Sequence, residues 1–130
     1  MEAIDDLFSA IRPDLAACGL KAKLRDDSLK LHDGLLHADL FVQGERLGSL
    51  GIDPGQSPAE QTLTLASQIQ DLLLEGLRDG DGRAVVWPPC PAAGHGHPMR
   101  PAMRAGHSQW TCPESADVAV DIGRLAPQDS

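Results

Sequence analysis

Six of the ten prolines, both tryptophans, two of the three cysteines and three of the five histidines lie between Trp87 and Pro113, in the stretch WPPCPAAGHGHPMRPAMRAGHSQWTCP. Proline fixes its own backbone and donates no hydrogen bond, so this is the stiffest part of the chain. It is also the part richest in reactive and metal-ligating side chains. Its cysteines and histidines read C-x4-H-x-H-x9-H-x4-C over Cys90, His95, His97, His107 and Cys112. Structural zinc takes four such donors in a tetrahedron, usually from two short knuckles separated by a hairpin. Gly94 and Gly96 flank His95 and let the backbone wrap closely. His95 and His97 are two apart and share one side of an extended segment, as do Trp110 and Cys112. By the same parity His107 falls on the face opposite Cys112. The ligand set predicted is therefore Cys90, His95, His97 and Cys112 with zinc as the ion, and His107 in reserve. The competing reading is a metal-free hairpin in which Trp87 and Trp110 pack on the prolines.

The stretch resembles a zinc ribbon, in which each knuckle is typically Cys-Pro-x-Cys and the second follows a tryptophan. Trp110-Thr111-Cys112-Pro113 matches the start of the second knuckle, and Cys90-Pro91 followed by His97-Pro98-Met99 matches much of the first. The second cysteine of each knuckle is missing, and after Cys112 only Glu114 and Asp117 offer a ligand atom. More broadly the chain resembles small uncharacterised bacterial proteins of high-GC genomes, with an acidic amino-terminal part followed by a WPxCP...HP...WxCP segment. That resemblance covers most of the length and implies no established activity.

Upstream, the hydrophobic period changes twice. Ile4, Leu7, Phe8, Ile11 and Leu15 follow the spacing of one helical face, with Asp5 and Asp6 at the end where the helix dipole favours acids. Pro13 predicts a break or kink near Arg12, and Gly19 a stop. From Leu20 to Asp53 the pattern alternates, as in Leu20, Ala22, Leu24 and in Ala38, Leu40, Val42, with Phe41 an apolar exception on the wet face. Turn signals at Asp26-Asp27-Ser28, Asp33-Gly34, Gly44-Glu45 and Asp53-Pro54-Gly55 divide it into a meander of three or four antiparallel strands. A second helix starts at Pro58, with Ser57 as N-cap and Glu60 completing a capping box. Its apolar stripe is Leu65, Ala66, Ile69, Leu72, Leu73 and Leu77.

Asp79-Gly80-Asp81-Gly82 then marks a boundary; the later ligands of a calcium loop are missing from it. Beyond it the pattern predicts a short strand at Ala84–Trp87, a hairpin of Met99–Met103 with Ser108–Cys112, and a last strand through Val118, Val120 and Ile122. The fold class is thus α+β: an N-terminal helix, an antiparallel β-meander, a long helix and a small C-terminal β lobe. The units are 1–82, 83–125 and a polar tail at 126–130.

Charge narrows the partners. The net charge is -8, and residues 1–83 carry 15 acidic and 8 basic side chains against 4 and 3 in 84–130. A negative surface repels phosphate backbones, so no nucleic acid is expected. No apolar run approaches the ~20 residues of a membrane span, and the acidic MEAIDDLF is not a secretory signal. The expectation is a soluble, cytoplasmic protein with no membrane partner, whose odd, irregularly placed cysteines are thiols or ligands. Cys18, before Gly19, reads as a small buried hydrophobe. Asp26, Asp27, Asp33 and Asp39 read as solvated turn and strand residues.

A catalytic metal would need a base, for which Glu114 is the local candidate, and a Cys-His nucleophile pair would draw on Cys90 or Cys112. No triad, phosphate-cradling loop or cofactor fingerprint accompanies them. The chain is therefore read as a non-enzymatic protein-binding or adaptor protein with a zinc-stabilised knuckle, its partner another protein. The alternative is a homodimeric chaperone holding an extended client, because helix, curled strands and long helix are similar to type III secretion chaperones.

Overall fold

The computed structural model describes residues 3–32, 34–78, 82, 85–90, 97–115 and 117–125. Helix α1 is Ala3–Ala16, with Ile4, Phe8, Ile11 and Leu15 buried along one side. It runs through Pro13 without ending, contrary to the predicted break. Ile11 and Leu15, buried on either side of the proline, anchor the backbone there. The helix stops soon afterwards in a Schellman turn: Leu20 N donates to Leu15 O at 3.0 Å, Gly19 N to Ala16 O at 3.0 Å, and Gly19 takes φ +76°.

The meander has three strands, β1 (Ala22–His32), β2 (Leu35–Val42) and β3 (Glu45–Ile52), antiparallel in that spatial order. Along β2 the alternation is strict, with Leu36, Ala38, Leu40 and Val42 buried and the intervening residues half-buried. Gln43 and Gly44, at φ 54° and 82°, form the two-residue turn that the right-handed twist of a hairpin demands. The expected turn at Asp26–Ser28 is instead part of β1. Pairing resumes beyond it, Arg25 with Asp39 and then Lys30 with His37, so the extra residues are taken up as a register shift.

Helix α2, Pro58–Gly76, begins in the predicted capping box, Ser57 Oγ accepting from Glu60 N and Glu60 Oε1 accepting from Ser57 N. Leu65, Ala66, Ile69 and Leu73 are buried. The helix packs on β3 and α1 and on the two strands that follow it. Its glutamines hold backbone: Gln68 both accepts from Gly51 N and donates to Gly51 O at 2.8 Å, engaging the β3 edge as a neighbouring strand would.

The C-terminal strands are β4 (Arg100–Arg104), β5 (His107–Thr111) and β6 (Ala119–Asp121), again antiparallel and in order. Ala105 and Gly106, at φ 52° and 82°, repeat the tight turn of the first sheet. Of the strand expected at Ala84–Trp87, Ala84 lies outside the described residues and Val85–Trp87 is not a strand; the pairing that follows is a single antiparallel bridge, Pro89 with Pro98. Prolines on both sides limit that ladder to one rung. The Asp79–Asp81 part of the predicted boundary and the 126–130 tail lie outside the described residues. Among the described residues no helix is long and apolar enough to cross a membrane.

One continuous core joins the two sheets, with Trp87, Met99, Trp110 and Leu125 buried in the same cluster as Ile4, Leu40 and Ile69. Its polar centre is Asp14, fully buried on α1. Asp14 Oδ2 accepts from Trp110 Nε1 at 2.7 Å and from Gly123 N at 2.6 Å, while Oδ1 accepts from Leu125 N at 2.9 Å. The Asp14 carbonyl accepts from Trp87 Nε1 at 3.1 Å. The two indoles meet edge to face, centroids 4.9 Å apart at 77°. Gln70 of α2 is buried too and donates from Nε2 to the carbonyls of Trp87 and Met99.

Candidate metal centre

Above the indole pair, the chain delivers three soft donors to one point. The Pro89–Pro98 bridge, with Met99 N donating to Pro88 O at 2.8 Å, sets the segment around Cys90 antiparallel to the one around His97. Continuing that ladder by one residue places Cys90 opposite His97. The second knuckle arrives on β5: Trp110 points into the core and Cys112, two residues on, is buried as well, with its N donating to Val118 O at 3.0 Å. Each thiol thus follows a buried tryptophan by two or three residues, and packing the indoles together brings the thiols together.

The ligand atoms of Cys90, His97 and Cys112 lie within 4.8 Å of one another. Cys112 Sγ is 3.7 Å from His97 Nε2. Donors at ~2.3 Å (sulfur) and ~2.0 Å (nitrogen) in a tetrahedron stand about 3.5 Å apart, so the separation suits a shared ion. Cys90 and Cys112 are 9% and 5% exposed, and the His97 side chain 25%. His97 Nδ1 lies 3.1 Å from Pro98 O. His97 Nε2, the ring atom that faces both Cys112 Sγ and the Glu114 carboxylate, is the one an ion would take, leaving Nδ1 to the Pro98 carbonyl. Glu114 closes the outer side: its Oε2 is 2.7 Å from His97 Nε2, its backbone N donates to Cys112 Sγ at 3.4 Å, and its side chain is 62% exposed.

Three of the four residues predicted as ligands are therefore brought together. His95 lies outside the described residues. His107 opens β5 opposite Arg104, exposed and not among the three clustered donors. Glu114, considered from sequence only as a spare donor or base, is the neighbour of His97. Asp39, read as solvated, is half-buried and bonded to Ser49 Oγ at 2.9 Å and Arg46 at 3.3 Å, and Arg46 first and Ser49 second hold its carboxyl below the usual range. Asp14 was missed. The available signal was its place beside Ile11 and Leu15 on the apolar face of the first helix, where an acid needs donors.

Comparison of the chain with protein-family models, with curated proteins and with solved structures finds no match.

Proposed function

We propose that this is a non-enzymatic protein-binding protein whose C-terminal lobe is closed by one zinc ion, held by Cys90, His97 and Cys112 with His95 as the fourth ligand. The observation that carries the reading is the convergence of two buried thiols and an imidazole from two knuckles far apart in the chain. Two sulfurs and an aromatic nitrogen favour zinc over the hard, oxygen-seeking cations. The role is structural because both thiols belong to the core that joins the lobe to α1 and α2. Structural zinc contributes on the order of 10 kcal/mol of apparent binding energy at neutral pH, enough to decide whether a small proline-rich lobe folds.

Elemental analysis of protein produced with zinc supplied tests the metal. About one zinc per chain is expected, falling sharply in Cys90→Ser and Cys112→Ser. Zinc near zero in the wild-type chain overturns the metal reading. Cobalt substitution gives an independent readout, since thiolate ligands produce charge-transfer absorption that the serine variants lack.

A further inference from the structure

Where α1 hands over to β1, the surface opens into a groove of about 620 Å³ bordered by Arg12, Leu20, Lys21, Lys23 and Phe41. A cleft of about 490 Å³ continues it along the sheet, sharing Lys23 and Phe41 and adding Arg25. Leu20, Ala22 and Phe41 give the first groove an apolar lining. Of the four aromatic side chains in the sequence, Phe8, Trp87 and Trp110 are buried, whereas Phe41 is half-exposed here. Arg25 lies over its ring at 5.9 Å.

The rim is cationic on a chain of net charge -8. Four of the eleven basic residues border the two cavities, and among the described residues no Asp or Glu lines either. Lys21, just before β1, and Lys23 and Arg25 within it are all exposed at every second position, about 7 Å apart. That is the repeat of same-side residues in any extended peptide. Across the sheet Asp39 is paired in register with Arg25 and bonded to Arg46 and Ser49. β1 is moreover an edge strand, and the opposite edge, β3, is engaged by Gln68.

We propose that this groove is the protein-binding surface, and that its occupant is an extended acidic segment of another protein. One apolar side chain of the segment rests on Phe41 and Leu20, and its alternate carboxylates meet Lys21, Lys23 and Arg12. The inference rests on the protein-binding half of the reading above and not on the metal. Lysines on an edge strand also serve to keep copies from pairing, but that purpose does not call for an aromatic ring recessed among them. The two clefts share Lys23, Phe41 and Gly44 along neighbouring strands, an arrangement that suits an extended chain.

The test selects a random dodecapeptide display library on the full chain and titrates the consensus peptide by fluorescence anisotropy. Enriched sequences are expected to alternate Asp or Glu around a Leu, Ile or Phe, and affinity to fall as sodium chloride rises from about 0.05 to about 0.5 M. Lys21→Glu with Lys23→Glu should weaken binding about tenfold or more, and Phe41→Ser several-fold, with circular dichroism unchanged. A basic consensus, no consensus, or undiminished binding to the double variant overturns the proposal. So does a dimer that the double variant dissolves, which would make a second copy the occupant. Zinc measured on the same samples separates the two readings: peptide binding without zinc removes only the metal, and zinc without an acidic consensus removes only the groove.

Discussion

Replacing Asp14 by Asn tests whether the two sheets hang from one buried carboxylate. Among the described residues, three N–H donors meet this side chain: Trp110 Nε1, Gly123 N and Leu125 N. Asparagine has the same shape but one acceptor atom, so whichever way the amide turns, an NH2 faces at least one donor. Hydrogen bonds to charged groups contribute about 1.5–3 kcal/mol each. Losing one and weakening the others predicts a loss of about 2–3 kcal/mol. Asp14→Ala strands all three donors at about 1–3 kcal/mol each, a large part of the ~5–15 kcal/mol that holds a domain folded. The assay is urea unfolding at fixed zinc, followed by tryptophan fluorescence and far-ultraviolet circular dichroism together. With two tryptophans and no tyrosine, emission comes from the indole pair beside Asp14. A urea midpoint lower by about 1–2 M is expected for Asp14→Asn, with both signals moving together in wild type and variant. A midpoint unchanged within about 0.3 M, or fluorescence that unfolds separately from the helices, would refute the shared core.

Three further outcomes follow from single residues. Gly123 sits at φ +100° with the Ala10 carbonyl oxygen 2.5 Å from where a Cβ would stand; Gly123→Ala should therefore cost about 2–4 kcal/mol by the same unfolding assay. Ser57→Ala removes the α2 cap and should cost about 1 kcal/mol. Glu60, whose carboxyl the Ser57 backbone amide and then its side chain hold below the usual value, should titrate higher in that variant by carboxyl-carbon NMR. In the wild type, Glu60's depressed folded value means its contribution is present above the ordinary glutamate range and is lost as pH falls through that value. Burial, with a smaller push from the Asp14 charge, raises the Cys18 thiol to about 11. Peptide mapping should find Cys18 alkylated far more slowly than free cysteine at pH about 8.5. The raised value makes its contribution complete below the ordinary thiol range and lost as pH climbs toward 11.

The parts of the fold visible in the sequence are those decided by local period and turn chemistry. The stripe from Leu65 to Leu73 behind a Ser57–Glu60 cap could become little else, and the strict alternation of β2 leaves one choice of buried face. The errors came where tertiary pairing outweighed a local signal. Pro13 removes one helix donor, but Ile11 and Leu15 bury beside it and the chain turns within a few residues, so continuing costs less than breaking. Asp26-Asp27-Ser28 is good turn sequence, yet β2 offers partners on both sides of it, and the strand bridges the gap. Asp14 could not be assigned a role from its neighbours because its donors lie 96 to 111 residues further along the chain.

The metal cluster was legible for a different reason, and the same reason says how the lobe is built. Cysteines and histidines are few enough that their spacing is informative by itself, but spacing does not bring the knuckles together. The indoles do. Trp87 and Trp110 precede Cys90 and Cys112 by similar steps, their rings stack edge to face, and one N–H goes to the Asp14 carbonyl while the other goes to its carboxylate. The thiols are thus positioned from below by an interaction that needs no ion. The core itself supplies much of the ordering of the two thiols and the imidazole. Such a site is preorganised, so an ion entering it spends little of its binding energy on ordering the chain. Its occupancy should consequently change the local stability of the lobe more than the path of the backbone.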